Sequence, residues 1–173
     1  MAVTYKLIDK VILTGSQTSV TFSSIPSTYT DLMISVSARS SRTTDTNVQF
    51  TTRLNGDTAG NYSDLRLAGT GSATDWGKQS AKTNLDNSQG ETSAMTANTF
   101  ASHQMYIPNY TAAVYKSAST DTTTENNATL SYATLAANIW NSTSAITSIN
   151  FFYGDGSSFV TNSTFYLYGI SKS

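Results

Sequence analysis

Residues 31–40 read Asp-Leu-Met-Ile-Ser-Val-Ser-Ala-Arg-Ser, and this stretch decides the fold class. Leu32, Ile34, Val36 and Ala38 alternate with Asp31, Met33, Ser35, Ser37 and Arg39. A period of two sustained this long sends one set of side chains to a core and the other toward solvent, as a half-buried β-strand requires. The same rhythm places Val48, Phe50 and Leu54 on one face of residues 47–54, before a turn at Asn55-Gly56-Asp57. Tyr62–Leu67 continues beyond that turn. Near the C-terminal end, Phe165, Leu167 and Gly169 alternate with Tyr166, Tyr168 and Ile170.

Working outward, Val3–Leu13 and Ser19–Ile25 read as two strands around a hairpin-type break at Gly15. Thr99–Ile107 and Thr111–Ser117 flank Pro108-Asn109. Thr129–Trp140 reads as one long strand or a bulged pair, with Leu-Ala-Ala-Asn inside it as a possible helical turn. Ile146–Tyr153 leads into the turn Gly154-Asp155-Gly156. Two stretches break the pattern: a polar insertion from Gly69 to about Asn98, and a second polar loop at residues 119–127, Ser-Thr-Asp-Thr-Thr-Thr-Glu-Asn-Asn. About nine or ten short strands with frequent turn signals predict an all-β, antiparallel, jelly-roll-like β-sandwich with little helix. It forms a single domain over residues 1–173. Strand order is not readable from the pattern.

Composition points the same way. Ser and Thr together supply 55 of 173 residues, and charged residues only 12%, about half the usual ~25%. Disordered chains share these features but lack aromatics, whereas this chain is 11% aromatic. Two Glu and six Lys leave little material for amphipathic helices. Ten basic against eleven acidic residues give a net charge of −1, which argues against a nucleic-acid partner. No run of 18 apolar residues suggests a membrane span, and Lys6, Asp9 and Lys10 interrupt any signal-peptide core at the N-terminus. With no Cys, disulfides and thiolate metal sites are excluded.

Few residues suggest chemistry, and no cofactor is expected. His103 shares a strand face with Ala101, Met105 and Ile107, so a satisfied core histidine is the plainer reading. Glu91 and Glu125 are the only glutamates, and both fall in polar stretches, a poor supply for the carboxyl pair that a glycosidase needs. Asn55, Asp57, Asn61 and Asp64 offer oxygens to a hard cation but lack a calcium-loop spacing, and a turn explains them equally. No metal is therefore expected, and no catalytic residue. Trp76 stands out because nothing in the polar insertion demands a large apolar group; it either stacks on a partner or plugs the insertion onto the sandwich. Tyr62 is the second candidate interaction residue. Trp140 follows a strand-like segment and reads as core.

Three stretches together resemble a family of small jelly-roll bacteriophage virion proteins from marine and cyanobacterial phages. They are residues 4–40, the Asn-Gly-Asp to Gly-Ser element at Asn55–Ser72, and the closing Ser-Thr-Phe-Tyr-Leu-Tyr-Gly-Ile at residues 163–170. The resemblance implies a non-enzymatic virion structural protein, assembled in the host cytoplasm and displayed on the particle. It implies a homo-oligomer, commonly a trimer, with the major capsid protein or other virion proteins as partners. Capsid decoration (cement) is the expected role, since no fibre-shaft repeat or coiled-coil stem is visible. A head-fibre or tail-fibre domain gripping a host glycan through Trp76 and Tyr62 is the alternative, and a depolymerase is the least supported.

Overall fold

The computed structural model describes residues 4–125 and 131–171. Among them lie twelve strands: β1 (Thr4–Ile12), β2 (Ser19–Phe22), β3 (Asp31–Ala38), β4 (Val48–Leu54), β5 (Tyr62–Gly69) and β6 (Thr74–Lys82), then β7 (Leu85–Gly90), β8 (Ala101–Ile107), β9 (Lys116–Glu125), β10 (Ser131–Trp140), β11 (Ile149–Tyr153) and β12 (Thr164–Ser171). They form two antiparallel sheets, an eight-stranded one ordered β1-β12-β3-β8-β9-β10-β5-β6 and a four-stranded one ordered β2-β11-β4-β7. Eight of these strands interleave as a jelly roll, β1-β12-β3-β8 over β2-β11-β4-β7. The other four, β9, β10, β5 and β6, extend the larger sheet beyond β8 as an annex.

Several expectations are corrected by this topology. Gly15 does not close a hairpin, because β1 pairs with β12 while β2 pairs with β11 in the other sheet. The insertion at 69–98 carries β6 and β7. Residues 119–125 of the second polar loop belong to β9; residues 126–130 lie outside the described residues. Leu-Ala-Ala-Asn lies within β10, with no helical turn, and Thr111–Tyr115 forms turns before β9 begins at Lys116. The end of β9 is unreadable because Thr and Ser fit a pleated surface but carry no hydrophobic rhythm by which a strand can be read.

The jelly-roll half is held by aromatic packing. Phe50 and Phe151 from the small sheet meet Phe159 and Phe165, with Phe151–Phe165 centroids 5.7 Å apart and Phe159–Phe165 4.9 Å apart. Each fully buried Phe contributes roughly 1.5–3 kcal/mol from area alone. Gly169 on β12 is fixed by sterics, since a Cβ there would stand 2.3–2.5 Å from the Tyr29 ring. That ring is partly buried and packs against the core.

Candidate functional site

Strand register lays the outer face of the eight-stranded sheet out as rows of cross-strand neighbours. One row runs Lys10, Tyr166, Ser35, Gln104, Asp121, Leu135, Leu67 and Trp76, from β1 to β6. The adjacent row runs Leu7, Tyr168, Met33, Tyr106, Ser119, Ala137, Leu65 and Lys78. Directly opposed side chains lie within about 5.5 Å of each other, so the annex end of these rows is one continuous apolar surface. Trp76 is 68% exposed, Leu67 59% and Leu135 57%; Leu65 and Ile139 are exposed beside them.

The annex is inverted with respect to an ordinary half-buried sheet. Its inward face carries Thr120, Thr122 and Thr124 of β9 and Thr134 and Asn138 of β10, all buried. Ala118, Ala136, Trp140 and Tyr62 share that inward face, while Leu65, Leu67, Leu135 and Ile139 point outward. Some of the buried polar groups bond one another: Asn138 Nδ2 donates to Thr120 Oγ1 at 2.9 Å, and Thr122 Oγ1 meets His103 Nδ1 at 3.1 Å, whereas the Thr124 hydroxyl has no hydrogen-bond partner among the described residues. A sheet that buries threonines while displaying leucines and a tryptophan needs cover from elsewhere, because exposed contiguous apolar area on a monomer marks an interaction surface.

Trp76 thus stands on strand β6 rather than in a loop, and it does not plug the insertion onto the sandwich. Tyr62 goes the other way. It is 1% exposed, stacks against Trp140 at 6.4 Å, and its hydroxyl donates to Leu54 O and accepts from Leu54 N, both at 3.1 Å. Burial pushes its phenol up to about 12. The side chain anchors β5 under β4 and is not displayed to a ligand. Trp140 is core, as its strand position suggested, and its Nε1 donates to Asp57 at 2.8 Å.

The oxygen-rich run around Asp57 is a structural knot. Asp57 accepts from Asn61 Nδ2 at 2.9 Å, from Trp140 Nε1 and from the Ala59 amide at 2.8 Å. These donors, Asn61 foremost, hold its carboxyl below the usual range. Asn55 accepts from the amides of Thr147 and Ser148 and donates to Ala145 O, tying the loop before β11 to the end of β4.

The two glutamates, far apart in sequence, come together at the junction of jelly roll and annex. Glu91 is fully buried, and its carboxyl stands near that of Glu125, which accepts from Thr99 Oγ1 at 3.4 Å. Glu91 itself accepts from Thr99 Oγ1 at 2.7 Å and from the Glu125 amide at 3.3 Å. Burial raises its pKa, and the neighbouring Glu125 raises it further. Beside them Arg39, also buried, donates to the carbonyls of Met95, Thr96 and Thr99 at 2.7–3.0 Å. A cleft of about 360 Å³ opens next to the pair, lined by Phe100, Ser102, Thr123 and Thr124 among others. This arrangement, which no local motif announced, stitches residues 91–99 to the end of β9. His103 is a core residue stacked on Phe50 at 4.1 Å, and burial pushes its pKa down to about 3, so it stays neutral.

Compared with protein-family models, with curated proteins and with solved structures, the chain matches none. Among the described residues no group of three or more His, Asp or Glu side chains is placed to hold a metal ion.

Proposed function

We propose that the chain is a virion structural protein of the capsid-decoration type, acting by non-covalent contact between its large sheet and neighbouring proteins of the particle. One observation carries this reading: the outer face of the annex displays Leu65, Leu67, Trp76, Leu135 and Ile139, while Thr120, Thr122, Thr124 and Thr134 are buried. Chemistry of that kind suits adhesion, where apolar area removed from water supplies the driving force. Low charge suits it too, since surface ion pairs weaken with salt and contribute little to holding a particle. On this reading the partners are further copies of the chain and the major capsid protein, and the protein sits on the outside of the particle.

Counting the chain in purified virions tests the assignment. Hundreds of copies per particle support decoration, and absence from particles overturns it. A second reading, a tail-fibre or tail-tip module stacking a host glycan on Trp76, is favoured by that ring's exposure. It requires tens of copies at most, and loss of adsorption in Trp76→Ala with assembly unchanged.

A further inference from the structure

We propose that the outward face of β9, β10, β5 and β6 is the contact between two copies of this chain, packed face to face about a two-fold axis running parallel to the strands between β10 and β5. The proposal deepens the adhesive reading and rests on it for the use of this face. Three features of the chain select a second copy as the occupant.

The first is the inversion itself, since nothing among the described residues covers Leu67, Trp76 and Leu135. The second is charge. Asp121 on β9 and Lys78 on β6 are both exposed and stand on opposite flanks of the apolar strip, one row apart. With the axis parallel to the strands, β9 of one copy faces β6 of the other. Leu135 then meets Leu67, and Asp121 comes within reach of Lys78 of the second copy, on both flanks. With the axis turned across the strands, Asp121 approaches its own copy and Lys78 does likewise, which is repulsive. Self-complementarity of this kind is what an isologous contact requires.

The third feature is that the sheet edges are guarded, so faces rather than edges are left to associate. Edge strand β6 carries Lys78 and Lys82 and a register shift opposite Tyr62 and Asp64, with Ala81 at φ 54°. The other edge, β1, carries Lys6, Asp9 and Lys10 and its own bulge. Charges and bulges of this sort discourage strand addition. Four strands and four rows span roughly 19 by 27 Å, or roughly 500 Å² per copy, in the size range of weak, reversible contacts. Two such sheets pack about 10 Å apart with their strands nearly aligned, as sandwich layers do.

Sedimentation of the full chain from about 1 to about 100 µM is the test, with an expected dissociation constant on the order of micromolar. Iodide quenching of tryptophan emission follows the same transition: Trp140 is buried, so the quenchable signal is that of Trp76 and shrinks as dimers form. Leu67→Asp abolishes the dimer while leaving the thermal midpoint of the monomer unchanged. Asp121→Lys or Lys78→Asp alone weakens it by about tenfold, and the two together restore it. A monomer at the highest concentration overturns the proposal, as does a trimer, or a dimer indifferent to Leu67→Asp. Failure of the double swap to restore association overturns the axis. A chain incorporated in virions but monomeric in solution sinks this contact alone, whereas a dimer absent from virions sinks the decoration assignment and leaves the contact standing.

Discussion

The jelly-roll strands of the large sheet and its annex lie side by side in one sheet yet solve burial in opposite ways. In the jelly-roll half, β12 sends Phe165 and Leu167 into a phenylalanine-filled core and keeps half-buried Tyr166 and Tyr168 outside, stacked on each other at 6.4 Å. In the annex, β9 sends threonines inward and β10 sends Leu135 and Ile139 outward. Both halves alternate with period two, so the backbone rule is the same. What differs is which face carries the oil. The jelly roll can stand by its own apolar core, whereas the annex relies on hydrogen-bonded hydroxyls within and on an uncovered apolar surface without.

The sharpest way to break this contrast is to excavate both halves. Phe165→Ala is expected to cost about 3–5 kcal/mol in urea unfolding, the range for a large aromatic deleted from a packed core. Thr120→Ala in the annex is expected to cost only about 1 kcal/mol, from the lost Asn138–Thr120 hydrogen bond. Equal losses at the two positions would erase the distinction.

Acid probes the seam between the halves. His103 is neutral in the fold, with its pKa depressed to about 3, while in the unfolded chain it titrates near its ordinary 6.5. Its contribution is therefore present in full above pH 6.5 and is lost as the pH falls toward 3, with a slope of at most about 1.4 kcal/mol per unit. Unfolding measured between about pH 6 and 4.5, above the ordinary range of most carboxylates, should show that slope, and His103→Leu should lack it. Glu91 has the opposite sign. Its raised pKa means that its contribution is complete below the ordinary carboxyl value and is lost as the pH climbs through the raised one. Glu91→Gln, which cannot ionise, should be at least as stable as the parent at pH 7, and a marked loss there would show that the charged form holds the junction.

Smaller effects follow at the margins. Trp140→Phe keeps most of the ring but removes the donor to Asp57, with an expected cost of about 1–2 kcal/mol in thermal or urea unfolding. Trp76→Ala should change stability by no more than about 0.5 kcal/mol, because the exposed ring supports little within the monomer. A large loss of stability in Trp76→Ala would mean that the annex depends on that ring for its own folding.

Legibility followed the same divide. Strands β3, β4 and β12 could be read because Leu, Ile, Val and Phe alternate there with smaller or more polar groups. Strands β6, β7 and β9 could not. In β9 every residue from Ser117 to Thr124 except Ala118 and Asp121 is Ser or Thr, so the inward and outward sets look alike as letters. Trp76 was noticed for want of an explanation, and its strand neighbours Leu67 and Leu135 supplied one only after pairing. Tyr62 looked equivalent to Trp76 in a polar neighbourhood, and only its position under β4, with the Leu54 backbone at hand, put it inside. The Glu91–Glu125 contact spans 34 residues and has no local signature.

By itself the sequence determined an all-β chain with one apolar rhythm, a near-neutral charge and no thiol chemistry, because side-chain periodicity and composition act locally and can be counted. Tertiary structure alone decided that two polar stretches become strands, that threonines and not leucines face inward in the annex, and which residues meet across the seam. The reason is physical. Which face of a sheet is buried depends on the layer packed against it, and that layer is brought there by strands far away in the chain.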